Sequence, residues 1–275
     1  KELQQLGYVE GQNLLVNYRW AEGRNDRLAS LAAELAALKP TILVAHGAIA
    51  TKAAEDASSA VPIVCFACGD MVEIGFVANL ARPNGRITGQ TVIAPEMIGK
   101  RVQLLKEVVP ALARVAVLWN PTNPVNGPEL KETEDAAATL GLQIQSLAVT
   151  SPPEIETAIA GIQGSAGALI VLSDAMMNGQ YRKIAELTID NQLPSISWTV
   201  DFARAGGMLS YGPDVITMAH RAAHYVDRLL QGTPVGELPV ERPTTFELAI
   251  NARTAKALGL AVPGSLLASA DEVID

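Results

Sequence analysis

Three histidines, two cysteines and a scatter of carboxylates, amides and indoles are the side chains of this 275-residue chain that could do chemistry. His46-Gly47-Ala48 ends the apolar run ILVA and enters an alanine-rich stretch. At such a junction the first N–H groups of a helix point outward unpaired. The corner suits the start of an active site, a pocket for an anion, or only a tight turn. His220 and His224 stand four apart, as zinc ligands on a helix can, but H-R-A-A-H lacks the glutamate of H-E-x-x-H and reads as a solvated helix face. Cys65 and Cys68 form a C-x-x-C behind the strand-like run VPIV, with no helix directly following. Residues three apart in an extended segment lie roughly 10 Å apart and face opposite sides, so two small buried residues are expected here and not a disulfide. A second cysteine pair for zinc does not exist. Neither G-x-S-x-G, a P-loop nor G-x-G-x-x-G occurs.

The elements that would position these residues alternate almost throughout. NLLVNYRW (13–20), TILVAH, VPIVCF and RITGQTV read as strands; Leu28, Leu31, Leu35 and Leu38 mark a helix that Pro40 stops, Ala48 to Ala57 is a second helix, and GFVANLA a short one. The next half repeats the pattern. Ile98, Val102, Leu105 and Val109 line a helix before Pro110, RVAVLW is a strand, and Pro128 opens a helix that Gly141 ends. LQIQSLAV, GALIVLS and LPSISW are further strands. Ser151-Pro-Pro-Glu154 predicts a capping box with proline at the first helical position, and Gln180 to Asp190 a helix. Met218, Ala222, Tyr225 and Leu229 line a long helix, and FELAIN and a short helix close the chain.

Strands buried on both faces and separated by amphipathic helices predict an α/β fold of parallel βαβ units, in two doubly wound lobes. Open sheets of this kind bind ligands beyond the carboxyl ends of their strands. The residues found there are His46, Gly47 and Ala48; Phe66 and Asp70; Trp119, Asn120 and the nearby Asn126; Ser173 and Asp174; Trp198 and Asp201. Rings for an apolar body, carboxylates for an ammonium and helix N-termini for a carboxylate suit a small amphipathic molecule. Asp70 and Asp174 could instead pair as acid and base or simply cap turns. Trp198, with Trp119 and Tyr211, is expected to form an apolar wall, core packing being the competing account of Trp119.

A net charge of −8, from 21 basic and 29 acidic residues, excludes a nucleic-acid binder of the usual basic kind. No apolar run reaches the roughly 18 residues that a membrane span needs. The opening KELQQLG reads as the last turns of a helix closed by Gly7.

The chain resembles the ABC-transporter substrate-binding proteins of the tryptophan/tyrosine type. The resemblance runs through LGYVEGQNLLVNYRWAEG, DRLASLAAELAALKP, GFVANLARPNGRITG, VAVLWNPTNP, GGMLSYG, RAAHYVDRLLQGTPVGELPVERPTTFELAINARTAKALGL and LLASADEVID. It implies the type I periplasmic-binding-protein fold, with a ligand cleft between two closing lobes, residues 1–93 with 211–238 and 94–210 with 239–275. It also implies an aromatic amino acid or aromatic acid as ligand, no catalysis and no cofactor. The partner would be a membrane permease, and the location extracytoplasmic, periplasmic or membrane-anchored, after a signal peptide that this chain does not include. A first strand ahead of Lys1 is expected, lying between the strands of Leu15 and Leu43. A monomer is expected unless strand exchange with a second chain fills that slot. Where the family has Asp-Pro-Val this chain has Asp70-Met71-Val72, and CFACG before it is unusual. The rival readings are a ligand-sensing module of a regulator, which would carry a fused DNA-binding or signalling segment, and an enzyme using the same cleft, which would need a nucleophile–base pair or a metal.

Overall fold

The computed structural model describes residues 1–92, 95–162 and 164–275. In chain order the elements are α1 (Glu2–Gln5), α2 (Leu28–Ala37), β1 (Leu43–His46), α3 (Ala48–Ala57), β2 (Ile63–Cys68), β3 (Ile87–Thr91), α4 (Pro95–Val108) and β4 (Arg114–Trp119). Then follow α5 (Asn126–Thr139), β5 (Gln143–Ala148), α6 (Pro152–Ala160), β6 (Leu169–Val171), α7 (Ala175–Gly179), α8 (Tyr181–Asp190), β7 (Ser195–Ser197) and α9 (Val200–Arg204). The last are β8 (Leu209–Pro213), α10 (Val215–Leu230), β9 (Phe246–Asn251), α11 (Ala252–Ala257), α12 (Gly264–Ser269) and β10 (Glu272–Ile274).

The chain divides into two compact units, Lys1–Val92 with Val215–Pro243, and Ile93–Asp214 with Thr244–Asp275. The first holds a parallel sheet in the order β1-β2-β3. Leu43, Ile63, Cys65 and Ile87 pack on one side of it with Ala54 of α3, while Val64 meets Ala222, Tyr225 and Val226 of α10 on the other. The second unit holds a sheet in the order β10-β9-β8-β7-β6-β4-β5, parallel except where β8 meets β9. Both of its faces are covered, one by a core from Val102 to Leu266 and the other by one from Ala116 to Phe202. Strands covered on both sides explain why runs such as RVAVLW are apolar without alternation. The expected lobe boundary at 93 and 94 lies outside the described residues.

Four local expectations are corrected. NLLVNYRW is not a strand: beyond the bridge of Leu14 to Glu10 it has no ladder partner among the described residues, and Leu15, Tyr18 and Trp20 are exposed. β-propensity alone does not hold a strand that has no neighbour for its N–H and C=O groups. It does not pair with residues 41–46, and among the described residues β1 pairs only with β2. GFVANLA is irregular, its backbone tied by turns such as Gly75 N–H to the Val72 carbonyl. The Ser151 box is modified: Glu154 reaches back to Thr150 N–H, one residue before the N-cap, at 2.7 Å and to Ser151 Oγ at 2.8 Å, while the Ser151 hydroxyl caps no helix N–H.

The fourth correction concerns Cys65 and Cys68, which form a disulfide. An advance from Cys65 to Cys68 on β2 is matched by one from Gly89 to Thr91 on β3, so β2 carries one extra residue. This bulge, with Ala67 at φ +55°, shortens the Cα separation to 6.1 Å, within disulfide reach. The expectation that both residues are small and buried stands, since neither is exposed at all.

Candidate functional site

In the first unit β1 ends at His46, and α3 starts one residue later through Gly47, at φ 80°, ψ 167°. That conformation is open almost only to glycine. The Gly47 N–H donates to the Phe66 carbonyl at 3.1 Å, and its own carbonyl accepts from the Thr51 N–H at 3.1 Å and the Thr51 hydroxyl at 2.8 Å. Among the described residues no side chain caps α3. The N–H groups of Ala48 and the two residues after it therefore have no partner within the helix, and they carry the positive end of its dipole.

His46 and Phe66 are register partners on β1 and β2, and their rings stack with centroids 4.8 Å apart at 26°. His46 keeps an exposed edge, yet protein crowds the ring enough that burial lowers its pKa below the usual 6.5. That shift favours the neutral ring, and the backbone N–H groups at the start of α3 are the donors to an anion here. Asp70, half-buried after β2, accepts from the Val72 and Glu73 N–H groups through Oδ1 at 2.9 and 3.1 Å. Its Oδ2 has no protein partner among the described residues. The sequence reading passed over Gln90, a buried glutamine of β3 whose Oε1 is also unpaired. A lone long amide inside the fully buried strand ITGQT was the available signal.

In the second unit the strand ends converge on one buried polar network. Asp174 caps α7, accepting from the Met176 and Met177 N–H groups at 2.8 and 3.3 Å. Its other oxygen accepts from Asn120 Nδ2 at 3.1 Å and Asn123 Nδ2 at 3.0 Å. Burial raises the Asp174 pKa against these hydrogen bonds, which pull it down. Asn126 Oδ1 accepts from the Asn120 N–H, and Asn126 Nδ2 donates to the Ser173 carbonyl at 2.9 Å. Glu129, one turn into α5, accepts from the Ser173 hydroxyl at 2.7 Å and pairs with Arg101 of α4 at 3.0 Å, both side chains buried. The Arg101 guanidinium also donates to the Tyr211 carbonyl at 2.8 Å.

Asn120, Asn126 and Asp174 are thus brought together, with their polar atoms engaged by protein. Trp198 is buried and donates through Nε1 to Asn178 at 3.1 Å. Tyr211 stacks on Phe246 at 6.1 Å. Trp119 lies against the core on one sheet face and donates to Ser146 of β5, which favours the packing account of it. Arg101, Glu129 and Asn123 were not singled out by sequence. Glu129 stands three residues after Asn126 on one helix face, a spacing that could have drawn notice. His220 and His224 both face Glu2, at 3.9 and 3.3 Å. Among the described residues no group of three or more possible ligands could hold a metal ion.

Two parallel-sheet units built from interrupted segments, each presenting polar groups at its strand ends, have the type I periplasmic-binding-protein fold. The chain belongs to the ABC transporter substrate-binding protein family, whose model matches residues 1–274. A tyrosine-binding protein of Clostridioides difficile is 25% identical over 261 residues, 94% of this chain and 75% of that one. A conserved domain protein from Vibrio cholerae superposes with a TM-score of 0.94 at 24% identity, covering 99% of this chain and 91% of the other. A Streptococcus pneumoniae ABC domain in complex with L-Trp superposes at 0.93 with 22% identity, covering 99% and 92%.

Proposed function

We propose that the protein is the extracytoplasmic solute-binding component of an ABC importer, with an aromatic amino acid or related aromatic carboxylate as its ligand and a membrane permease as its partner. The observation that carries this reading is the uncapped N-terminus of α3 beside the His46–Phe66 ring pair and the half-engaged Asp70. The three features match the three parts of an aromatic amino acid. The N–H groups after Gly47 donate to the carboxylate, Phe66 meets the ring, and Asp70 Oδ2 accepts from the ammonium. In the second unit Asn120, Asn126 and Asp174 hold the strand ends in place. The relatives that bind tyrosine or L-Trp support this ligand class. A disulfide supports an oxidising, extracytoplasmic location.

Titration calorimetry with L-tyrosine and L-tryptophan tests the proposal. One-site binding is expected, and Asp70→Ala should weaken it about tenfold or more, since a charge-assisted hydrogen bond contributes roughly 1.5–3 kcal/mol. No heat with either amino acid would remove this ligand class. Full affinity in Asp70→Ala would leave the ligand amine without its assigned partner.

A further inference from the structure

We propose that the Cys65–Cys68 disulfide is the positioning clip of the binding floor: it locks the β2 bulge that directs Asp70 and holds the Phe66 carbonyl against the N-terminus of α3. The inference builds on the binding reading above. In an unbroken strand residues three apart face opposite sides. Here Cys65 and Cys68 both lie in the core on the α3 side of the sheet, whereas Val64 and Phe66 pack on the α10 side. Only the extra residue returns Cys68 to the side of Cys65.

That extra residue is held in an unfavourable backbone state. Ala67 sits at φ +55°, in the left-handed region where a Cβ is disfavoured, and no glycine relieves it. Opposite the bulge, Gly89 at φ +134° lets β3 approach so closely that a Cβ there would fall 1.8 Å from the Cys65 carbonyl oxygen. Left to itself, the segment would relax toward an unbulged strand, and a one-residue slip turns every following side chain to the other face. The disulfide forbids that slip, because its two sulfurs meet only on one face.

The consequences fall on the site. Asp70 follows Cys68 by two residues, so the bulge sets the direction in which its carboxylate leaves the sheet. Phe66, inside the clipped loop, stacks on His46, and its carbonyl receives the Gly47 N–H that fixes the start of α3. The clip is braced on α3 itself, with Cys68 Sγ 3.5 Å from Thr51 Oγ1, the hydroxyl that holds the Gly47 carbonyl.

The test compares the wild type with Cys65→Ala/Cys68→Ala, alone and with Ala67→Gly, in calorimetry with L-tyrosine and L-tryptophan and in an NMR pH titration of His46. Opening the clip should lower affinity about tenfold or more, the scale of a lost strained geometry. It should also move the His46 midpoint upward, as the ring loses part of its burial. Ala67→Gly, which accepts the left-handed backbone freely, should recover part of both losses in the double variant. Should the double variant fail to fold, the wild type reduced with a phosphine gives the same readout. A His46 midpoint unchanged by opening the disulfide overturns the proposal. If the wild type binds neither amino acid, the ligand reading falls while the His46 midpoint still decides the clip.

Discussion

At the scale of single residues the decisive position is Gly47. Its φ of 80° and ψ of 167° aim the first N–H groups of α3 away from the sheet, although space for a Cβ exists. The constraint is therefore one of backbone strain and not of collision. Gly47→Val places a β-branched residue where it costs about 1–3 kcal/mol, and the strain is relieved by rotating the peptide that begins the helix. The variant should fold with a modest loss of stability, measured by urea unfolding, and bind L-tyrosine or L-tryptophan too weakly to detect. Unchanged affinity would show that the ligand carboxylate is held elsewhere. Position 47 was legible in sequence because a glycine between a strand and an alanine-rich helix has few other uses. The engagement of Asp174 was not, since a carboxylate that caps a helix and one that awaits an ammonium look alike until the neighbours are placed.

At the scale of elements the second unit depends on a pair of helices joined by buried charge. Arg101 of α4 and Glu129 of α5 are 2% and 1% exposed, and the pair links Ser173, Asn126 and Tyr211. Removing one member leaves the other charged and dry, which typically costs about 3–5 kcal/mol. Glu129→Ala should destabilise the protein by about that amount, because Ser173 after β6 and Tyr211 of β8 lose their common anchor. A double replacement, Arg101→Met with Glu129→Leu, should recover most of the stability in a chemical-denaturation curve. No recovery would show that the polar links to the strands, and not the unpaired charge, carry the loss. Most helices and strands were legible from periodicity, as β4, α3 and β9 show, because their own residues satisfy the local pattern. The segment 13–20 and the bulge at Ala67 were not. A strand exists only with a neighbour, and a bulge only against a register, and neither can be read from one stretch of sequence.

At the scale of the whole molecule the chain passes three times from one unit to the other, after Val92, after Asp214 and after Pro243. Each unit therefore needs segments distant in sequence: α10 covers the sheet of the first, and β9 and β10 extend the sheet of the second. Neither unit closes until both of its pieces are present, so a ligand that binds the finished fold draws on the folding free energy of the units it touches. A ligand present at about a hundred times its Kd contributes about 2.7 kcal/mol to stability. For chains near this size each kcal/mol raises the melting temperature by about 2–4 °C. L-tyrosine or L-tryptophan at that excess should thus raise Tm by about 5–10 °C in a thermal-shift assay, while glycine, which offers the same ammonium and carboxylate without a ring, should leave it almost unmoved. A rise with glycine of the same size would assign recognition to the α3 terminus and Asp70 alone, with no part for Phe66. A rise with aromatic acids lacking the amine, and none with the amino acids, would keep the ring and carboxylate contacts and release Asp70 from its role.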